Sequence, residues 1–182
     1  MSVTIRPAVP ADAPAMTALL NEIIAIGGTT AHEIPLSDTE MLHHYIQPNH
    51  HISTFVAVLD GAVAGFQMLV WPNPDEGPMP DHWGFIGSFV KVGVTGQGIG
   101  RALFAATCAA ARNVGCKHID ATIRADNAGG LRFYAAMGFV DYDVFRDNPC
   151  ATGSWWTGSE SGLTYNQTLK VACTARFQAA YF

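Results

Sequence analysis

The sequence predicts a mixed α/β fold of α+β character. Its central sheet is mixed, with antiparallel N-terminal strands and one parallel β-α-β crossover further on. Three observations carry this. Asp60-Gly61 separates two β-rich runs, Phe55–Leu59 and Val63–Trp71, which marks an antiparallel hairpin with a type I′ turn. Phe85–Val92 is an apolar strand that runs into the glycine turn Gly93–Gly100 and a helix from Arg101 to Arg112, closed by Gly115; a further strand, Lys117–Ile123, follows. Strand–helix–strand in that order implies a right-handed crossover and a parallel pair. Finally, 182 residues, 49% hydrophobic and 14% charged, suffice for one domain with a real core.

The elements follow in order. Val3–Arg6 alternates and meets Pro7, a short first strand. Asp12 suits the N-cap of a helix with Met16, Leu19, Leu20, Ile23 and Ile24 on one face, stopped at Gly27-Gly28. Ser37-Asp-Thr-Glu40 reads as a capping box for a second helix carrying Met41, Leu42 and Tyr45, ended by Pro48. These two helices and their loop stand where a substrate can be covered. The hairpin comes next, then a loop with four prolines from Pro72 to Pro80. In Lys117–Ile123 the residues Ile119, Ala121 and Ile123 share one side. Asp126–Gly130 reads as a turn, Leu131–Met137 as a short helix with Gly138 just past its end, and Phe139–Phe145 as a strand. Residues 1–147 form the domain. Residues 148–182 read as a tail without a clear strand pair, packed on its own domain or on a dimer partner.

A net charge of −5 and no Lys/Arg cluster exclude a nucleic-acid footprint. The start shows no secretory signal, and no apolar run approaches membrane-spanning length. Cys108, Cys116, Cys150 and Cys173 lack zinc spacing, so reduced cysteines in a cytoplasmic protein are expected. His43, His44, His50 and His51 read as a solvated helix face and loop, and no metal is expected.

Alternating glycines at a helix start favour anion binding. The first helical amides lack intrahelical partners, the helix dipole is positive there, and Gly96, Gly98 and Gly100 let the backbone approach a phosphate. A dinucleotide fingerprint with Asp120 on a ribose is rejected, because the spacing is GxGxG and Asp120 lies in mid-strand.

Two stretches together resemble the GNAT superfamily of acetyl-CoA-dependent N-acetyltransferases. Thr95-Gly-Gln-Gly-Ile-Gly100 fits the family's Q/R-x-x-G-x-G/A loop from Gly96 onward, and Asn127-Ala-Gly-Gly-Leu-Arg-Phe-Tyr-Ala-Ala-Met-Gly-Phe139 fits its later segment. The resemblance covers about residues 3–145 and implies acetyl transfer from acetyl-CoA, as co-substrate, to a primary amine of a small or amino-acid-like acceptor. It assigns Thr95, Gly96, Gln97, Gly98, Ile99, Gly100 and Arg101 to the pyrophosphate and Phe89, Val90 and Val92 to the pantetheine arm. Asn127 would hold the cofactor near the splayed end of the next strand, and the Tyr134 hydroxyl would protonate the leaving sulfur. Gly100→Val would then press a side chain on the pyrophosphate. Thr95 replaces the usual Arg or Gln, and Phe85–Val90 holds no carboxylate to act as base. That leaves His82, Asp81 through a water, or bulk water, with a water-mediated route preferred. An acyl-CoA-binding protein without efficient transfer is the alternative. The aromatic-rich tail favours a homodimer.

Overall fold

The computed structural model describes residues 3–74, 81–94, 96–145 and 168–174. Within them lies one seven-stranded sheet. Its strands are β1 (Val3–Pro7), β2 (His51–Leu59), β3 (Ala62–Val70), β4 (Trp83–Val90), β5 (His118–Arg124), β6 (Val140–Phe145) and β7 (Thr168–Thr174), in the order β1-β2-β3-β4-β5-β7-β6. β1 to β4 form the antiparallel meander, and β4 and β5 are the parallel pair. At the β2–β3 turn both Asp60 (φ 50°) and Gly61 (φ 83°) are left-handed, as a type I′ turn requires.

Helices cover both faces. α1 (Ala13–Ile26) and α2 (Asp38–Met41) bury Met16, Leu20 and Met41 against Val56, Phe66 and Met68. α3 (Ile99–Asn113) and α4 (Ala128–Ala136) cover the other face. There Ile99 and Leu103 meet Ala57 and Ala64, while Ala111 and Tyr134 meet Leu69, Ile86, Ile119, Ala121 and Ile123. Strand alternation therefore sends Ile119, Ala121 and Ile123 to the α3–α4 side and His118, Asp120, Thr122 and Arg124 to the other.

Three expectations change. Asp12 holds the N-cap position of α1 as expected, but its side chain makes no capping bond to that helix: the carboxylate takes two 2.7 Å bonds from Arg6 and one of 2.8 Å from the Val9 amide, closing a 3₁₀ turn over Pro10–Asp12. α4 starts at Ala128 because the Asn127 side chain caps it, so Gly129 and Gly130 belong to the helix. The tail holds a strand, since β7 pairs antiparallel with both β5 and β6. The rest of residues 148–182 lies outside the described residues.

The Arg6–Asp12 pair makes acid sensitivity predictable. The Arg6 hydrogen bond holds the Asp12 carboxyl below the usual carboxylate range. A depressed folded pKa gives stability that is present above the unfolded value near ~3.9 and is lost as pH falls through the folded one. Asp12→Asn is expected to cost about 1–2 kcal/mol at neutral pH, screened by the half-open Arg6. Denaturant titrations of parent and variant should converge as pH falls through that depressed folded value.

Candidate active site

β4 and β5 pair only from Trp83–His118 to Phe85–Asp120. Beyond that point β4 continues to Val90 and β5 to Arg124, so the strands splay. A cavity of about 760 Å³ occupies the opening. It is lined from β4 by Phe85 to Phe89, from β5 by Asp120, Thr122 and Arg124, and from α4 by Tyr134. Further wall comes from the loop after α1, from the turn that continues α2 and the loop behind it, and from β3 with the residues that follow it.

That turn is a π-helical segment, Leu42–Ile46, closed by a 2.8 Å bond from the Gln47 amide to the Leu42 carbonyl. The widened turn brings His43, His44 and Tyr45 together onto the cavity. The Ser37–Glu40 capping box starts the helix as expected. The Tyr45 ring is fully buried edge-on against Phe66 and Phe89. His32 Nε2 lies 2.6 Å from the Tyr45 hydroxyl, and burial, then nearby His44, pushes its pKa down. His32, His43, His44 and His50 thus line one cavity, with His43 and His50 exposed as the sequence pattern suggests. His51 is turned to Thr54 instead. No group of three metal-binding side chains forms among the described residues.

Tyr134 stands at the junction of the two sheet faces. It is buried, and its hydroxyl donates to Ser88 Oγ at 3.1 Å, which also accepts from Gln67 Nε2 at 2.7 Å. Burial pushes the phenol up to about 12; the Ser88 bond opposes this and the Asp120 charge adds to it. Asp120 is fully buried in mid-strand, accepting from Thr122 Oγ1 at 3.2 Å and from the Tyr142 hydroxyl. Arg124 closes the rim, its guanidinium forked onto Asp126 at 2.9 and 2.5 Å.

The glycine turn lies beside the splay, off the cavity. Gly96 and Gly98 have φ of 85° and 78°, Gly98 caps α3, and the Ala102 amide is the donor that reaches Gly98. The amides of Ile99, Gly100 and Arg101 belong to the first helical turn, which has no intrahelical acceptors. Gln97 and Arg101 are exposed and Ile99 is buried in the core; Thr95 lies outside the described residues. On β4 the Lys91 amide bonds Ala64, so alternation turns the Ser88 and Val90 amides to the open side.

Several expected site residues sit differently. His82 is exposed, left-handed (φ 66°) and outside the cavity, at the start of β4 six residues before Ser88. Six residues of strand span about 20 Å. Its carbonyl instead accepts from the Lys117 and His118 amides, which anchors β5. Asp81 beside it is likewise exposed and away from the cavity. Val92 lies past the end of β4 and is 47% exposed. Asn127 borders the cavity, but its Oδ1 accepts from the Gly130 amide at 2.8 Å and its Nδ2 donates to the Thr29 carbonyl at 2.9 Å. Asp120, Thr122, Ser88 and the histidine wall were not singled out as catalytic from sequence.

The family profile described as the Acetyltransferase (GNAT) family matches residues 17–139. The chain belongs to that family. It is an acetyl-CoA-dependent N-acetyltransferase of GNAT fold. Solved GNAT structures share the architecture at low identity. A putative acetyltransferase, yncA, from Salmonella typhimurium with its cofactor acetyl-CoA aligns with TM-score 0.75 and 19% identity, over 99% of this chain and 98% of that one. A phosphinothricin acetyltransferase from Sinorhizobium meliloti in complex with AcCoA gives 0.74 and 22%, over 95% and 88%. A ribosomal-protein-alanine N-acetyltransferase from Brucella melitensis gives 0.71 and 22%, over 94% and 99%. No curated protein matches the chain by sequence.

Gly100 also gains a different reason. A Cβ there meets Phe133 Cε2 at 2.8 Å and Cζ at 3.3 Å, so the position is kept small by α3–α4 packing. Phe133 in turn packs on Tyr134 with ring centroids 5.2 Å apart. Gly100→Val is expected to cost about 1–3 kcal/mol of overpacking, lowering Tm by about 3–10 °C. Phe133→Ala in the same chain should recover part of that loss. An unchanged Tm with weakened acetyl-CoA binding would return Gly100 to the pyrophosphate.

Proposed function

We propose that this enzyme acetylates the primary amine of a small, amino-acid-like molecule by direct attack on acetyl-CoA in a ternary complex. The observation that carries this is the cavity passing through the β4–β5 splay, with the buried Tyr134 hydroxyl at the junction of the two sheet faces. The two sides of the splay suit two substrates. On the α3 side, the left-handed Gly96 and Gly98 and the first amides of α3 would hold the pyrophosphate. The outward Ser88 and Val90 amides would pair with the pantetheine arm as an added strand does, beside Phe89. On the other side, the Asp120 carboxylate suits an ammonium, while Arg124 and, as hydrogen-bond donors, the imidazoles of His44 and His50 suit an anionic tail.

In this reading the Val90 amide polarises the thioester carbonyl. Tyr134 turns its O–H from Ser88 toward the leaving sulfur. Phe85, Phe89 and Tyr45 keep water from the junction. The oligomeric state proposed is a homodimer, from the aromatic-rich tail sequence Trp155, Trp156, Phe177, Tyr181 and Phe182; light scattering checks it. A cytoplasmic setting accords with the buried, reduced Cys116 thiol.

The test is thiol release from acetyl-CoA against the L-amino acids, their amides and simple primary amines. Turnover that requires both the amine and the carboxylate supports the proposal. Acetyl-CoA bound without turnover of any amine would favour an acyl-CoA-binding protein.

A further inference from the structure

We infer that Thr122 and Asp120 form the proton acceptor for the attacking amine, in place of the carboxylate that β4 lacks. This rests on the amine-acetylation reading and deepens it. Thr122 is exposed on the cavity wall, whereas Asp120 beside it is fully buried. The Thr122 hydroxyl donates to Asp120 Oδ1 at 3.2 Å. A hydroxyl that gives its proton to a carboxylate keeps its lone pairs for another donor. Those lone pairs are the acceptor offered to an amine N–H approaching Tyr134 from the histidine side.

Tyr142 fixes the other end. Its hydroxyl, reaching from β6, donates to Asp120 Oδ2, so the carboxylate is held from both sides and Oδ1 stays on Thr122. Trp83, stacked on His118, packs edge-on against Tyr142 and keeps that contact in place. Asp120 is a positioning residue here, acting through Thr122, the group that touches the amine.

The step balances. The bound ammonium first loses one proton to water. As the amine nitrogen forms its bond to the acetyl carbon, a second N–H proton passes to Thr122 Oγ1 while the Thr122 proton passes to Asp120 Oδ1. The C–S bond breaks, its electron pair goes to sulfur, and the sulfur takes the Tyr134 proton. Exchange with solvent then returns a proton from Asp120 to the Tyr134 oxygen. The groups facing Asp120 and Thr122 are Tyr134 from α4, Tyr142 from β6, Arg124 and His118 on β5, and His32 and His44 across the cavity; in register, Lys170 of β7 stands opposite Thr122.

The experiment uses the best L-amino acid from the acceptor panel and four variants. Thr122→Val keeps the shape of an exposed side chain, so the fold is not at risk. It is expected to lower kcat/KM by about 10²-fold or more with acetyl-CoA affinity unchanged by calorimetry. Thr122→Ser should restore the parent rate to within about threefold. Asp120→Asn should match Thr122→Val, and the double variant should be no worse than either single, because both remove the same relay. Because the first proton goes to water in both enzymes, kcat/KM should rise toward the amine's own pKa in each, with Thr122→Val running parallel to the parent and lower throughout. A Thr122→Val enzyme with the parent rate overturns the relay while leaving amine acetylation standing. Absence of any amine turnover by the parent overturns the acetylation reading first.

Discussion

Tyr134→Phe is expected to lower kcat by about 10²–10⁴-fold while acetyl-CoA affinity stays near the parent value. The substitution keeps the ring against Phe133 and Phe139 and removes only the hydroxyl that bonds Ser88. Ser88 Oγ keeps its 2.7 Å bond from Gln67, so the stability loss should be about 1 kcal/mol, a few degrees in Tm. The size of the kinetic effect follows from the environment. A free phenol and a thiol differ by about two pKa units, but burial lifts this phenol to about 12, against about 8.5 for a thiol. Full transfer of the proton is therefore uphill even to a fully formed thiolate, and the hydrogen bond acts mainly by stabilising the charge that builds on sulfur in the transition state, with solvent completing the exchange. The sign in pH follows. Tyr134 stays protonated as pH rises to about 11, so an alkaline loss of rate below that pH is not expected from its ionisation. A variant that turns over at the parent rate would reduce Tyr134 to a core residue.

Most of the architecture is legible in the sequence because the deciding residues act locally. Asp60-Gly61 needs only its own left-handed backbone to set the hairpin, and Ser37 and Glu40 cap each other within one turn. The glycine turn announces the crossover in the same way. The cavity floor is less visible because it is non-local. His118, Asp120, Thr122 and Arg124 alternate with Ile119, Ala121 and Ile123, so the polar side is readable as a pattern. That this side faces a cavity depends on where β4 and β5 part, and pairing length is not written in either strand alone. The histidines are harder still. His43 and His44 border the cavity on a π-turn and His43 is also exposed, so the polar face that helical spacing reads as solvated is the same surface as the cavity wall. Asp12 misleads for a related reason. It has the residue type and position of an N-cap, but Arg6 on β1 offers a charged, forked partner that a helix amide cannot match.

A version of the protein ending at Asp147 is expected to be recovered without a folded, active domain. The charge-poor texture after Asp147 gives no strand pattern, yet β7 sits inside the sheet, between β5 and β6. It pairs with β5 from His118–Thr174 to Arg124–Thr168, and with β6 from Val140–Ala172 to Phe145–Thr168. Without it, β6 has no strand beside it, and β5 keeps only its short pairing with Trp83–Phe85. The loss reaches the site directly. β5 carries Asp120 and Thr122, and β6 carries the Tyr142 hydroxyl that holds Asp120. The exposed edge of β5, with Ile119, Ala121 and Ile123 on one face, is also a template for aggregation. Circular dichroism, light scattering and thiol-release assays on this version and on one ending at Thr174 isolate the contribution of β7. The longer version should fold and turn over. The shorter should aggregate or lose its cooperative thermal transition, and a soluble, active protein ending at Asp147 would show that β7 is dispensable.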